Sequence, residues 1–364
     1  MNTPHEHFMQ RCFELAAKGR SHVHPNPMVG AVIVHDNKII GEGYHQKYGE
    51  AHAEINALAN VSPADRNLLK HSTIYVNLEP CNHRGKTGAC TKALQEAGIA
   101  HVVISNTDPN EQVQGKGIAR LKESNIRVTT GVLSNEGEFF NRHFFTFHRD
   151  RRTYILLKWA QSEDYYMGQH GCEIQISNAV SQIQNHKWRA CHDAILVGTN
   201  TVITDDPVLT VRKYTGRSPL RCILDLNTRI PMDKQVLSDD LNTVIYTINE
   251  YDGVLNKKKE VVLLDPAMEL IPQIMEDLFN RGIQSLIVEG GKRLLSSFIK
   301  GDQWDETRII TAKNNMLNQG IKSPRITGDL LGKRKLNNDI IEYVFPNISS
   351  YGASAEKISG YMID

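Results

Sequence analysis

Apolar positions fall into two successive alternations of helical and extended pattern. Phe8, Cys12, Leu15 and Ala16 recur at helical spacing within 4–20, and Gly19 is placed to end that helix. The prolines of HPNP (24–27) predict a loop. VGAVIV (29–34) and IIGEGY (39–44) flank HDNK and predict a hairpin. HAEINALAN (52–60) reads as a helix, STIYVN (72–77) as an apolar strand and LEPCNHRGKTGAC (78–90) as a loop. TKALQEAG (91–98) is helical and stops at glycine. HVVIS (101–105), GIARLKES (117–124) and IRVTT (126–130) add a strand, a helix and a strand. This alternation predicts an α/β/α sandwich.

SNEGEFFNRHFFTFHRDRR (134–152) starts helix-like, turns aromatic and basic, and reads as a hinge region. A second alternation follows. TYILLKWA (153–160), AILVG (194–198), RCILD (221–225), TVIYT (243–247), VVLLD (261–265) and SLIVE (285–289) are short buried strands. Helix-like stretches at 177–191 and 269–281 separate them. A chain of 364 residues exceeds one ordinary core, so two α/β domains are expected, 1–147 and 148–364.

Charge narrows the function. Lys+Arg is 42 against Asp+Glu 41, a net charge of +1, which offers no global field to a nucleic-acid backbone. MNTPHEHFMQ lacks a basic segment followed by an apolar one, and no apolar run approaches the ~18 residues of a membrane span. Neither nucleic acid nor membrane is an expected partner, and a cytoplasmic location is. In a reducing compartment the six cysteines are candidates for metal ligation rather than a disulfide framework.

His52-Ala53-Glu54 stands at a predicted helix start, Pro80-Cys81 follows a strand, and Cys90 lies nine positions later. One imidazole and two thiolates suit Zn²⁺ and leave a fourth tetrahedral position for water. Zinc brings the pKa of such a water toward ~7. Glu54, close to a ligand without being one, is the expected proton shuttle. Zinc nucleobase deaminases carry H-x-E followed by P-C-x-x-C. On a regular helix positions i and i+2 lie about 200° apart, so His52 and Glu54 share a target only in the first turn. A closed structural zinc would need a fourth ligand, for which His83 is the candidate. Cys12, Cys172, Cys191 and Cys222 show no partner pattern.

Here the spacing is P-C-x8-C, with NHRGKTGA between the cysteines. With HPNP, GYH (43–45) and HAE (52–54), residues 1–147 resemble the riboflavin-biosynthesis diaminohydroxyphosphoribosylaminopyrimidine deaminases. Cytidine, guanine and tRNA-adenosine deaminases are less similar. The resemblance implies a cytidine-deaminase-like domain, zinc on His52, Cys81 and Cys90, and proton transfer by Glu54. It also implies substrate contacts from Asn26, His45, His83 and Lys86. An asparagine can read a pyrimidine edge by paired hydrogen bonds. His83 and Lys86 offer donors to a ribose phosphate. The plainer alternatives are that Asn26 shapes a turn and Lys86 is a solvated charge.

The second half resembles the fused reductase of that family, a dihydrofolate-reductase-like α/β domain using NADPH. The resemblance lies in LLKWAQSED (156–164), RACHDAILVGTNTVITDDPVLTVR (189–212) and SLIVEGGKRLLSSFI (285–299). Gly290 and Gly291 would let backbone N–H groups approach a phosphate at a helix N-terminus. By position, Gln161, Thr201 and Asp205 would join these glycines at the cofactor. Arg189, Leu209, Arg212 and Glu289 would meet the substrate, the arginines suiting a phosphate by bidentate contact. The chain departs from the family where Tyr165 replaces a usual glycine after Ser162-Glu163-Asp164. A side chain is disfavoured there if φ is positive. Glu173 and Gln175 replace Ser and Trp, and a carboxylate at 173 would repel a nearby phosphate.

The resemblance implies two reactions on one pyrimidine ribotide. The first is zinc-dependent hydrolytic deamination of 2,5-diamino-6-(5-phosphoribosylamino)pyrimidin-4(3H)-one; the second is NADPH reduction of the ribosyl chain to ribityl. The alternative is an active deaminase whose weak or degenerate second domain is a scaffold. A nucleic-acid editor would instead need a basic, aromatic-lined groove. A homodimer is the expected assembly, as the commonest oligomer.

Overall fold

Thr3 and Glu6 cap each other's backbone N–H groups, and Pro4 takes the first helical position. Helix α1 (Pro4–Ala17) therefore begins where the sequence predicts, and it buries Phe8, Met9, Cys12, Phe13, Leu15 and Ala16. The computed structural model describes residues 3–82, 88–251 and 255–351, and the chain divides into two units between Asp150 and Arg151.

In the first unit, β1 (Gly30–His35) and β2 (Lys38–Tyr44) form the predicted hairpin. Asp36 and Asn37 turn it with φ of 45° and 61°, the left-handed pair a two-residue hairpin loop requires. Then come α2 (Ala53–Ala59), a 3₁₀ turn at Arg66–His71, β3 (Thr73–Leu78) and α3 (Cys90–Glu96). They are followed by β4 (His101–Asn106), α4 (Lys116–Glu123) and β5 (Arg127–Thr130). The sheet order is β2-β1-β3-β4-β5, with β3, β4 and β5 parallel.

Alternate strand residues face opposite cores. Ala31, Ile33, Ile74, Val76, Val102 and Ile104 pack with Ala53, Ala57, Leu94 and Leu121 from α2, α3 and α4. Val32, Val34, Tyr75 and Val103 pack with Phe8 and Phe13 of α1 and with Phe140. The unit is the expected α/β/α sandwich.

The stretch read as a hinge is two helices, α5 (Ser134–Phe140) and α6 (Arg142–Arg149). Its aromatic residues are core: Phe139, Phe140, Phe144 and Phe145 are all buried. Between the helices, the Asn141 side chain donates to Met28 O (2.9 Å) and accepts from Met28 N–H (3.0 Å). This pins the helical pair beside the HPNP loop.

The second unit contains β6 (Tyr154–Ser162), α7 (Ala179–Ala190), β7 (Ala194–Gly198), α8 (Thr199–Asp205) and β8 (Leu220–Leu224). Next are α9 (Gln235–Ser238), β9 (Thr243–Thr247), β10 (Lys259–Leu263), α10 (Leu270–Asn280) and β11 (Ser285–Val288). It closes with α11 (Lys292–Lys300), β12 (Glu306–Ala312), β13 (Asp329–Leu336) and β14 (Asp339–Phe345). The nine strands run β10-β9-β8-β7-β11-β6-β12-β14-β13. The first seven are parallel and β14 and β13 are antiparallel. Helices on both faces of the parallel part explain its near-continuous apolar runs. This is the dihydrofolate-reductase-like α/β arrangement that the second half's resemblance implies.

The sequence reading also passed over the buried strand β12, and three further features differ from it. Strand β10 starts two residues before VVLLD, because Lys259 is buried and its Nζ reaches Asp239 Oδ1 (2.8 Å) and Leu241 O (2.7 Å). Helix α8 went unread because Thr, Val and Ile dominate TNTVITD and are weak helix formers. Strands β13 and β14 went unread because β13 is a polar edge strand; the Asn337-Asn338 turn, with φ 54° at Asn337, was the available signal.

Tyr165 does take the left-handed conformation, φ 66°. Its side chain is exposed, and the turn is fixed by Tyr165 N–H to Ser162 O (3.0 Å) and Ser162 N–H to Tyr166 O (2.8 Å). The tyrosine is thus tolerated at a cost of ~1–2 kcal/mol. Among the described residues, no helix is long and apolar enough to cross a membrane.

His192 is buried and its Nδ1–H donates to Trp188 O (2.7 Å). Burial, then the Arg308 charge, pushes its pKa down to about 4. The folded ring stays neutral while the unfolded ring, with a pKa near 6.5, takes a proton. Stability should therefore fall from pH 6.5 toward pH 4, by about 2 kcal/mol at pH 5. Trp159, Trp188 and Trp304 are the chain's three tryptophans and all lie in the second unit, so their fluorescence in urea reads this unit alone. His192→Gln should remove that share of the pH dependence, leaving the part due to His186, whose pKa burial also lowers to about 4.

Candidate active sites

In the first unit, Gly43 lets β2 press on α2: a Cβ there would meet Ala57 N at 2.3 Å and Ala53 O at 2.5 Å. Asn56 of α2 donates to Tyr44 O (2.9 Å) and Ala51 O (3.3 Å), fixing the chain as it enters the helix. His52 is the N-cap of α2, with extended backbone (φ −74°, ψ 167°), and Glu54 is in its first turn. The two side chains therefore escape the 200° separation of a regular helix and face one place.

Cys81 follows β3, and Cys90 opens α3. Cys90 N–H points to Cys81 Sγ (3.5 Å), and Thr91 N–H donates to Cys81 O (3.2 Å). His52 Nδ1 lies 3.5 Å from Cys81 Sγ and 3.4 Å from Cys90 Sγ, and the three donor atoms all lie within 4.8 Å of one another. A tetrahedral zinc, with Zn–S about 2.3 Å and Zn–N about 2.0 Å, sets N···S edges near ~3.5 Å. The residues present fit that ion. A hydrogen bond from Cys90 and the His52 ring hold the Cys81 thiol well down, and donation to Cys81 together with burial holds Cys90 up. Burial, then the Cys81 charge, pushes the Glu54 carboxyl up to about 7.

His45 stacks edge-on to His52, ring centroids 5.3 Å apart. Its Nδ1–H donates to Ala51 O (3.1 Å), which leaves Nε2 to accept from Asn26 Nδ2 (3.1 Å). Burial lowers its pKa, favouring this neutral form. Asn26 and His45 thus join the His52 side of the site. His83 and Lys86 lie outside the described residues.

In the second unit the candidates gather beyond the C-terminal ends of β6, β7 and β11, where open α/β sheets bind ligands. Arg189 Nε and Nη2 donate to Glu289 Oε1 (2.8 Å) and Oε2 (2.9 Å), and Asn185 adds a bond to Oε2 (3.1 Å). Lys158 Nζ stands 3.7 Å from the same carboxylate. Burial opposes the charge on Glu289, but Arg189 and Lys158 outweigh it and hold the carboxyl well below its usual range. Sequence reasoning missed Lys158 and Asn185; a lone lysine inside the apolar LLKWA run was the available signal.

Gly290 and Gly291 precede α11. A Cβ on Gly290 would lie 2.9 Å from Thr201 Oγ1, and Gly291 has φ 44°, so both positions favour glycine. The structure therefore brings Thr201, Gly290 and Gly291 together, in a backbone-lined cradle that fits a cofactor phosphate. Asp205 ends α8, and its carboxyl is raised to about 6 by partial desolvation and then by the Glu173 charge. Leu209 is buried with φ 60°, and the next carbonyl, Thr210 O, accepts from Arg189 Nη1 (3.4 Å). Arg212 is exposed, its N–H donating to His186 Nδ1 (3.1 Å). Gln161 is buried between Thr311 Oγ1 (3.1 Å) and Trp159 Nε1 (3.0 Å), and none of its hydrogen bonds goes to another candidate residue.

Sequence profiles agree with this division. That of the cytidine and deoxycytidylate deaminase zinc-binding region matches residues 2–106, and that of the RibD C-terminal domain matches 153–313. Fold, donor set and profiles together define a zinc-binding deaminase joined to a reductase. The riboflavin biosynthesis protein RibD of Aquifex aeolicus is 39% identical over 316 residues, 85% of this chain and 87% of that protein. The Escherichia coli RibD is 34% identical over 324 residues, 84% of this chain and 87% of that protein. Among solved structures, a Thermotoga maritima diaminohydroxyphosphoribosylaminopyrimidine deaminase/5-amino-6-(5-phosphoribosylamino)uracil reductase superposes with a TM-score of 0.84 at 31% identity. The match covers 94% of this chain and 99% of that one. Acinetobacter baumannii RibD gives 0.84 at 29% identity, with the same coverage. The chain belongs to the RibD family of riboflavin-biosynthesis enzymes, carries both a deaminase and a reductase, and takes zinc and NADPH.

Glu289→Gln should leave Arg189 and Lys158 buried without their counter-charge and cost about 3–5 kcal/mol. Urea unfolding followed by tryptophan fluorescence checks this. A loss under about 1 kcal/mol would contradict the buried-cluster account.

Proposed function

We propose that His52, Cys81 and Cys90 hold the zinc, and that Glu54 moves the protons in hydrolytic deamination of 2,5-diamino-6-(5-phosphoribosylamino)pyrimidin-4(3H)-one. The observation that carries this reading is the meeting of three donor atoms within 4.8 Å, with Glu54 on the first turn of the same helix. Zinc on such a set supplies Lewis acidity and lowers the pKa of water toward ~7.

Glu54 then takes a proton from the attacking water and passes it to the ring nitrogen and the departing amine, so that ammonia leaves. Asn26 is held by His45 through its Nδ2, and its Oδ1 is left to accept from the pyrimidine edge. His83 and Lys86 complete this site at the ribose phosphate in the same reading.

In the second unit, NADPH supplies the hydride that reduces the opened ribosyl chain to ribityl. The Gly290-Gly291 cradle with Thr201, together with Gln161 and Asp205, holds the cofactor in this reading. Arg189 directs Nε and Nη2 to Glu289 and Nη1 to Thr210 O, so the exposed Arg212 is the freer group for the substrate phosphate, with Arg189 Nη1 and Leu209 as further substrate contacts in this reading. The deaminase corresponds to 1–147 and the reductase to 148–364. A homodimer, the commonest oligomer, and a reducing cytoplasmic setting, which suits six cysteines without a disulfide, belong to the same reading.

Incubation with the ribotide, with and without NADPH, should release ammonia in both cases and lower absorbance at 340 nm only with NADPH. Glu54→Gln should cut ammonia release roughly 10²–10⁴-fold with zinc retained. It should still oxidise NADPH when given the deaminated intermediate. Unchanged ammonia release would remove Glu54 as the shuttle. Ammonia without NADPH oxidation would make the second unit a scaffold, a reading that the Glu173 charge beside Asp205 favours.

A further inference from the structure

Glu79 sits between β3 and Pro80-Cys81, and its side chain is buried. Its Oε1 accepts from the N–H groups of Gly117 (2.9 Å) and Ile118 (3.1 Å). Its Oε2 accepts from Gly115 (3.0 Å) and Asp108 (3.2 Å). Glu79 N–H itself donates to Asn106 O (2.9 Å). One carboxylate therefore gathers four backbone donors from the segment that leads into α4. Among the described residues its partners are these amides rather than a cation. Contact continues to the next residue: a Cβ on Gly117 would lie 2.0 Å from Pro80 O.

The segment is thus held on one side of Cys81 by Glu79 and on the other by Cys90 N–H and Thr91 N–H. Pro80 between them adds a fixed φ, so little freedom remains in the direction from which the thiol is delivered. We infer that Glu79 is a positioning residue for the metal site, its four-amide cradle setting where Cys81 Sγ meets His52. The inference rests on Cys81 being a zinc ligand. Outer partners that orient metal ligands typically change affinity 10–100-fold when lost.

Glu79→Gln tests it, because the amide keeps the shape but turns its NH₂ against one pair of donors. Competition with a chromogenic chelator should show zinc bound about 10–100-fold more weakly. The cobalt-substituted chain should show altered thiolate-to-cobalt absorption, which loss of stability alone would not produce. Glu79→Asp keeps the charge but falls one methylene short, and should lie between. Zinc affinity within twofold of the parent, with an unchanged cobalt spectrum, would overturn the inference. Cys81→Ser separates the two claims. If it too keeps zinc, the ligand assignment fails; if it releases zinc while Glu79→Gln holds it, only the role of Glu79 fails. Should Glu79→Gln not fold, amide exchange on the intact chain reads the same coupling. Chelating the zinc should speed exchange at Gly115, Gly117 and Ile118, and unchanged exchange there would overturn it.

Discussion

An imidazole at a helix N-cap and two thiols from either end of one loop are brought to within 4.8 Å of one another, and the first unit is arranged around keeping them there. Without an ion such a group is awkward. One thiol is held low and the other high, and burial raises the carboxyl beside them. A divalent cation resolves the conflict, since thiolates and a neutral imidazole are what it ligates. The surrounding fold follows from this need. Gly43 permits the close approach of β2 to α2 that orients His52, and parallel strands β3 and β4 end beside the loop that carries Cys81.

The second unit meets a different constraint, which is to keep fixed charges beyond the strand ends of a sheet with an apolar interior. Glu289 accepts from Arg189 and Asn185 and faces Lys158, so one buried carboxylate is balanced by two cations. Arg221 and Lys259 share Asp239 at the opposite edge, by the N-terminal ends of β8 and β10. In the pair before α11, Gly290 leaves room for Thr201 where a side chain would collide with it, and Gly291 takes φ 44°.

Much of the metal site is local in sequence and so was legible. His52 and Glu54 are two residues apart, Cys81 follows a strand, and Cys90 starts a helix. What escaped reading is long-range or satisfied by backbone. Nothing in residues 108–118 advertises that its amides close on Glu79. Lys158 meets Glu289 across 131 positions of chain, a pairing no spacing rule reveals. The helices at 134–149 were obscured because phenylalanines, rather than an aliphatic stripe, form their buried face. Strand β13 was hidden by the polar surface of an edge, while its inner neighbour β14 simply went unread.

The account stands or falls on the environment of one ion, and X-ray absorption at the zinc edge of the purified chain reads that directly. Two sulfur neighbours at about 2.3 Å and two lighter ones near 2.0 Å, one of them exchangeable with solvent, would match His52, Cys81 and Cys90 with an open position. A purified, active chain without zinc, or a shell closed by four protein side chains, would contradict it.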